Sequence, residues 1–186
     1  MLEEKRREEN AIILDFLPNG YSADTRPSHL KTPIAQAIGK NNLNLLELVP
    51  RKDIFLQPHE EVYVGDQKRE KIHHVIGKVA VSKLTPTARS EMEYILKQLI
   101  KQREEEFIQF FNKSQPLSTR MHSLELLPGL GKKHMWEIVE ERRGDPFTSY
   151  ENFKSRVKLI PDPEKLILKR IIKELEGNEK HSIFVK

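Results

Sequence analysis

The chain has 186 residues, of which 37% are hydrophobic and 32% are charged, and its formal net charge is +4. This length allows one domain or two small ones, and the mild basic excess is compatible with a nucleic-acid partner without requiring one. The absence of cysteine excludes disulfides, thiolate metal sites and cysteine nucleophiles. No run approaches the roughly 20 apolar residues of a membrane span, and the charged N-terminus lacks a signal-peptide core. We therefore expect a cytoplasmic protein without membrane contacts.

A small β domain is predicted over residues 11–84, after a polar, solvated lead-in at 1–10. Short aliphatic or β-branched runs bounded by turn residues predict strands, and they lie at 11–17, 44–49, 61–64 and 73–81. The run 33–39 is ambiguous. About five short strands in about 75 residues favour a small closed β barrel of OB-like type. An unclosed sheet capped by a helix is the alternative.

A long helix is predicted next, within a bridging segment at 85–115. Thr85 is a suitable N-cap, and Pro86 fits the first helical position. Apolar residues recur on one face in the first half, a polar stretch at 101–106 interrupts them, and phenylalanines resume the pattern to about residue 112. We predict one helix over about 86–112. Two helices with a hinge near 102–106 are the alternative.

The C-terminal domain, predicted over 116–177 and followed by a tail at 178–186, reads as two consecutive helix–turn–helix units. The first begins at Ser118 or Thr119, turns at 127–131, and continues as a basic helix that ends near Gly144. The second has helices at 149–157 and 164–176, separated by a Pro-Asp-Pro turn. Two prolines remove N–H donors and Asp162 repels phosphate, so we expect the second unit to complete the core while the first unit binds a ligand.

The turn of the first unit has the sequence Leu127-Pro128-Gly129-Leu130-Gly131. It resembles the helix-hairpin-helix motif, whose consensus is apolar-Pro-Gly-apolar-Gly between two short helices. The resemblance implies that the turn amides hold a nucleic-acid phosphate backbone without reading its sequence. The chemistry of the residues agrees, because a helix that begins at a glycine turn offers free N–H groups and the positive end of its dipole to an anion. An ordinary glycine-rich turn, or a turn used only for protein contacts, is the alternative.

The predicted nucleic-acid site consists of the turn and the cations around it: Gly129, Leu130, Gly131, Lys132, Lys133, His134, Arg120 from the preceding helix, and Arg142 and Arg143 further along. Trp136, in the same helix, is predicted to pack in the core. A secondary site on the β domain consists of Tyr63, for base stacking, and the basic residues Lys68, Arg69 and Lys71.

No motif predicts catalysis, a metal site or a cofactor, because the carboxylates form no recognised ligand pattern. The neighbouring His73 and His74 are expected on opposite faces of a strand, where they cannot easily share a metal. Asp15, inside an apolar strand, is expected to be exposed by alternation or to cap a loop.

From residue 11 to about 176 the chain resembles an uncharacterised archaeal family, through its segments 14–20, 45–49, 61–65, 84–88 and 119–143. Members of that family are described only as RNA- or nucleotide-binding proteins of unknown function. The resemblance implies an OB-like N-terminal domain and a C-terminal helix-hairpin-helix pair. With the predicted bridging helix, the expected fold is α+β: a small OB-like β barrel joined by a long helix to an all-α tandem helix-hairpin-helix domain. The resulting hypothesis is a non-catalytic nucleic-acid-binding protein, with RNA favoured over DNA. A protein adaptor in translation, transcription or nucleic-acid processing is the rival.

Overall fold

The computed structural model of the protein describes residues 7–186. These residues form two compact units: the first comprises the described residues up to Ile95 together with Glu174–Lys186, and the second comprises Leu96–Lys173. Residues 1–6 of the predicted lead-in lie outside the described part. Within residues 7–186, no helix is long and apolar enough to cross a membrane.

The first unit is built on a five-stranded antiparallel sheet. The strands are β1 (Asn10–Leu17), β2 (Ile34–Gly39), β3 (Leu45–Pro50), β4 (Glu61–Tyr63) and β5 (Ile72–Lys78). Their order is β4-β1-β2-β3-β5, and among the described residues no ladder joins β4 to β5. The sheet is therefore a curled half-barrel. The number of strands agrees with the prediction, but closure of the barrel was wrong, and the alternative of an unclosed sheet is what forms.

The core of the sheet is made by residues that alternate along the strands and share one face. Burying each large aliphatic side chain of this kind stabilises a fold by about 1.5–3 kcal/mol. The register of β1 against β2 shifts between Ile13 and Asp15, so that Leu14 is also fully buried. The buried cluster comprises Ala11, Ile13, Ala35, Ala37, Leu46, Leu48, Leu56, Val62, Val64 and Ile72.

The shift in β1 also places Asp15 against the start of the first helix. Its carboxylate accepts a hydrogen bond from Thr85 Oγ1 at 2.6 Å, and Thr85 Oγ1 accepts one from Ala88 N at 3.0 Å. Buried Gln36 accepts a bond from Thr85 N at 2.9 Å. Thr85 is thus the N-cap that its sequence context predicts, and the carboxylate of Asp15 holds this cap.

The predicted long helix is two helices, α1 (Pro86–Gln102) and α2 (Glu104–Lys113). Arg103 lies between them with non-helical angles of φ −103° and ψ 30°. The single helix was therefore wrong, and the hinge within 102–106 was the better interpretation. Three further helices follow, namely α3 (Lys132–Gly144), α4 (Tyr150–Arg156) and α5 (Pro163–Leu175).

Aromatic side chains form the centre of the second unit. The rings of Phe111 and Phe153 lie 4.5 Å apart and those of Phe147 and Phe153 lie 4.8 Å apart, between centroids. The hydroxyl of Tyr150 donates to the carbonyl oxygen of Ile100 at 2.9 Å. Burial raises the pKa of Tyr150, which keeps this donor protonated.

The segment before the glycine turn differs from the prediction. The expected first helix is replaced by a short hairpin, β6 (Pro116–Ser118) with β7 (Met121–His122), and one turn of 3₁₀ helix at Ser123–Leu126. The apolar residues Leu124, Leu126 and Leu127 suggested a helix, but Pro128 restricts the residue before it to extended angles. Too few residues remain for an α-helix between the hairpin and this proline.

Buried carboxylates hold two outer segments of the first unit, the predicted solvated lead-in and the predicted tail. Glu8 accepts hydrogen bonds from the backbone N–H groups of Asn41, Asn42 and Asn44 at 2.9–3.3 Å. Glu174 accepts them from Ile183, Phe184 and Val185 at 2.8–3.0 Å. The predicted lead-in from residue 7, and the predicted tail, are therefore ordered parts of the fold.

Candidate nucleic-acid interface

The glycine turn, residues 127–131, is a tight bend with its apolar residues inside and its glycines outside. Leu130 N donates to Leu127 O at 3.1 Å, which closes the turn, and both leucines are buried. Gly129 has φ +92° and Gly131 is exposed, and a Cβ added at either glycine would meet nothing within 4 Å. Leu130, a predicted contact residue, therefore anchors the turn, and its amide is not available to a ligand.

The helix that follows the turn begins without a side-chain cap. Gly131 is the N-cap in an extended conformation, and no side chain accepts a hydrogen bond there. The first intrahelical bond of α3 runs from Met135 N to Gly131 O at 3.0 Å. The amides of residues 131–134 precede this bond, and they are the N–H groups that an α-helix leaves unsatisfied. They lie at the positive end of the helix dipole, which is suited to an anion.

Neighbouring elements of the second unit hold the turn from behind. Buried Arg170, on α5, donates from Nη1 to Leu126 O at 3.2 Å. His122 and Glu125 form a reciprocal capping box at the 3₁₀ turn, with His122 Nδ1 accepting from Leu124 N at 3.1 Å and Glu125 accepting from His122 N at 2.8 Å. Burial, followed by the charge of Arg142, lowers the pKa of His122. The ring is therefore held in the neutral form that accepts this bond.

The predicted basic residues next to the turn are available to solvent. Lys132 and Lys133 are exposed in the first turn of α3, and His134 is half-buried. No acidic residue occurs in this turn of the helix. Positive charge, unsatisfied amides and the dipole thus coincide at one end of α3.

The three predicted arginines differ from one another in what surrounds them. Arg120 is exposed in the bend between β6 and β7 instead of on a helix. Arg142 donates to Phe111 O at 2.8 Å and to Ser114 Oγ and O at 2.9 and 2.8 Å, so its guanidinium ties α3 to the end of α2. Arg143 pairs with Glu140 at 2.8 Å and lies about 17 Å along the helix from Lys132. We therefore leave Arg142 and Arg143 out of the candidate interface.

Trp136 does not pack in the core, contrary to the prediction, because 57% of its surface is exposed. Met135 and Ile138 are the buried residues of α3. Residue 136 follows Met135 by about 100° around the helix, which turns its side chain out of the buried stripe. The outward face of α3 thus carries an exposed indole one turn from the glycine turn.

The second helical pair forms as predicted, but its turn is closed to anions. Asp162 Oδ1 accepts from Glu164 N at 2.9 Å, and Asp162 O accepts from Leu166 N at 3.0 Å. Pro163 occupies the first position of α5 and has no N–H. The start of α5 is thus capped by a carboxylate of the chain itself.

Comparison with known proteins identifies relatives along nearly the whole chain. A family described as "Protein of unknown function (DUF655)" matches residues 7–186. The chain belongs to this family. Over 181 residues it is 40% identical to "Uncharacterized protein MJ0038" of Methanocaldococcus jannaschii, covering 96% of this chain and 80% of the relative. It also superposes on the crystal structure of Af1531 from Archaeoglobus fulgidus, a DUF655 protein, with a TM-score of 0.87 and 42% identity, covering 96% of this chain and 100% of the other.

In this DUF655 protein the predicted secondary site is largely engaged in contacts within the chain. Tyr63 packs against Gly65, and its hydroxyl accepts from Gln67 N at 3.2 Å. Arg69 donates to Gly65 O at 2.7 Å, and Lys71 pairs with Glu60. Lys68 is exposed. Sequence reasoning missed Phe55, which is 72% exposed and lies edge-on to Phe16 at 6.1 Å between ring centroids.

The paired histidines of this DUF655 chain are closer than predicted. His73 Nδ1 and His74 Nδ1 lie 2.8 Å apart, because the register of β3 against β5 shifts between Val49 and Pro50 and breaks the alternation. Their placement on opposite faces was therefore wrong. Within residues 7–186, no group of three or more His, Cys, Asp and Glu side chains could hold a metal ion.

Proposed function

We propose that this protein binds nucleic acid, with RNA favoured over DNA, by holding phosphate oxygens at the start of α3. The observation that carries the proposal is the uncapped, solvent-exposed N-terminus of α3 beside a glycine turn with open space above both glycines. Helix N-termini of this kind hold phosphate groups through their backbone N–H groups and their dipole. Lys132 and Lys133 supply mobile charge at the same end. The interface works as a helix-hairpin-helix motif whose first helix is reduced to one 3₁₀ turn.

The chemical groups at this site predict nucleic-acid binding that does not depend on base sequence. Backbone amides and lysines recognise phosphate, which is the same in every nucleotide. Because binding to phosphates releases counterions, affinity falls steeply with salt. RNA is favoured over DNA through the family resemblance of the sequence, whose members are described as RNA- or nucleotide-binding, and through the OB-like interpretation of the half-barrel, since such folds often bind single-stranded nucleic acid.

A second contact is proposed on the first unit. Phe55 offers an exposed ring, and exposed Lys52 lies three residues before it in the same loop. An aromatic ring beside basic residues is the usual arrangement for stacking a base near its phosphate. We therefore assign the stacking role in the secondary site to Phe55 instead of Tyr63. Of the basic residues predicted for that site, Lys68 is retained, because its side chain is exposed.

The test compares two matched lysine pairs by salt titration of oligonucleotide affinity. Lys132→Ala/Lys133→Ala removes the cations at α3, whereas Lys165→Ala/Lys169→Ala removes two exposed cations from α5. The first variant should weaken binding and flatten the slope of log affinity against log salt by about one to two units. The second should leave the slope within error. If the two variants had equal effects, binding would depend on the overall surface charge and not on the start of α3.

The rival function, a protein adaptor, is favoured by one observation. Leu159, in the turn between α4 and α5, is 91% exposed with φ +64°. An apolar side chain held outward by a left-handed residue suits a protein contact. Leu159→Ser should then release a co-purifying protein that survives nuclease treatment, while oligonucleotide affinity stays unchanged.

A further inference from the structure

Trp136 is the single tryptophan of the chain, and more than half of its surface is in contact with solvent. Tryptophan has a large apolar surface that proteins usually bury, and exposed indoles are enriched where a partner binds. Arg142 and the buried stripe of α3 are explained by packing. The outward indole is not.

The position of Trp136 relates it to the proposed phosphate site. Lys132 and Lys133 lie four and three residues before it, so each of the two lysine side chains is a neighbour of the indole on the helix surface. The rise from Lys132 to Trp136 is about 6 Å, a distance that one nucleotide can span. Side chains on a helix lean toward its N-terminus, which inclines the indole toward the exposed amides.

The charges around Trp136 favour an anionic partner on its N-terminal side. The carboxylate of Glu137 accepts a hydrogen bond from Lys158 N at 3.2 Å, and Glu140, one turn further along, pairs with Arg143. The acidic groups closest to Trp136 on α3 are therefore already engaged. Lys132 and Lys133 remain as the charges available to a ligand that touches the ring.

We propose that Trp136 stacks on an unpaired base whose phosphate is held at the start of α3. This inference rests on the proposed nucleic-acid function and narrows it to single-stranded nucleic acid or to unpaired segments of a folded one. Bases within a duplex are stacked on each other and offer no face to the indole, whereas unpaired bases do. Stacking adds affinity without sequence selection, because every base has an aromatic face.

The single tryptophan makes the test direct. Titrating the full chain with oligouridylate should quench its fluorescence, and a matched abasic ribose-phosphate oligomer should bind more weakly without quenching. Trp136→Ala should lower affinity for oligouridylate by about five- to a hundredfold, whereas Trp136→Phe should retain most of it. Affinity for a blunt duplex should be the same in all three proteins. Circular dichroism and thermal unfolding would establish that the variants are folded.

The outcomes separate stacking from phosphate binding. Leu159→Ala, which removes another exposed apolar side chain, should leave both affinity and quenching unchanged. If Trp136→Ala binds oligouridylate as the parent does, while Lys132→Ala/Lys133→Ala binds it more weakly, the stacking role is overturned and the proposed function stands. If the parent binds none of these ligands at low salt, both are overturned.

Discussion

The starts of α3 and α5 are the same structural feature used in two ways. Each helix follows a proline-containing turn in the second unit, and each begins with amides that the helix cannot satisfy. At α5 the carboxylate of Asp162 accepts one of them. At α3 the cap is Gly131, which has no side chain to offer, and the surface there is exposed. One start is satisfied within the fold, and the other remains available to a partner.

This difference teaches that the cap residue, more than the turn, decides whether the first amides of a helix are satisfied within the chain or left accessible to solvent. A capping Asp or Ser contributes about 1 kcal/mol to stability relative to Ala. Thr85 and Ser149 cap α1 and α4 with their hydroxyls. A glycine cap at α3 forgoes part of this stability and keeps the amides accessible to a phosphate.

The largest effect should come from converting the start of α3 into that of α5. Gly131→Asp has open space and an ordinary φ of −89°, so its carboxylate can cap the helix and repel phosphate. We expect oligonucleotide affinity to fall at least about tenfold, while stability stays equal or rises by a few tenths of a kcal/mol. Fluorescence titration and urea unfolding measure the two quantities.

The matched control for this exchange is Gly144→Asp at the other end of α3. It adds the same charge at an exposed position where a Cβ also meets nothing, and it should change affinity little. Parental affinity in Gly131→Asp would show that the helix start is not the binding site.

The next largest effect is a difference in stability between alanine substitutions at the two glycines of the turn. Gly129 has φ +92°, where a side chain strains the backbone, so Gly129→Ala should cost about 1–2 kcal/mol of stability. Gly131→Ala should cost less, about 0.5–1 kcal/mol, because its site is unstrained and open and only the poorer capping of alanine contributes. Urea unfolding measures both. Equal losses would contradict the left-handed turn.

A similar comparison tests the cap of α5. Asp162→Ala should destabilise the protein by about 1 kcal/mol, whereas Asp162→Asn, which also caps well, should cost much less. Neither should alter oligonucleotide affinity. If the two variants unfold at the same urea concentration, the hydrogen bond from Glu164 N is not what Asp162 contributes.

The smallest expected effect is a pH dependence of stability that arises from the His122 cap next to the glycine turn. Because the folded protein lowers the pKa of His122 below its ordinary value of about 6.5, folding favours the neutral ring. The stability from this cap is complete above the ordinary pKa and is lost as pH falls through the folded pKa. Lowering the pH from 7.5 to 5.5 should thus lower the melting temperature more in the parent than in His122→Asn, whose side chain caps without titrating. Identical pH profiles would contradict this role.

Much of the architecture could be predicted because it depends on local chemistry. Thr85 before Pro86 defined a helix start, and bounded β-branched runs located the strands. Closure of the barrel could not be predicted, because it depends on whether β4 and β5 pair across the fold. The single 3₁₀ turn before Pro128 was missed because three leucines imitate a helical stripe over a segment too short to form one.

The candidate site also had parts that the sequence could predict and parts that it could not. The turn and its two lysines are consecutive in sequence, so the sequence alone places them together. The surroundings of Arg142 and Trp136 depended on the direction in which α3 turns its buried stripe. Trp136 is exposed, so its predicted core packing was wrong, and the guanidinium of Arg142 binds the end of α2. Met135 and Ile138 define that stripe, and the short apolar pattern of α3 did not distinguish it from the neighbouring face that carries Trp136.

The guanidinium of Arg142 has a consequence for how this protein can change in evolution. Its donors satisfy two carbonyl groups and a hydroxyl at the end of α2, a geometry that the single ammonium of lysine cannot reproduce. Lys132 and Lys133 are exposed and have no comparable structural role. Either position can therefore be occupied by lysine, arginine or a neutral residue. Substitutions at these two positions can therefore change the strength of the proposed interface without destabilising the fold, whereas substitutions at position 142 break contacts with α2.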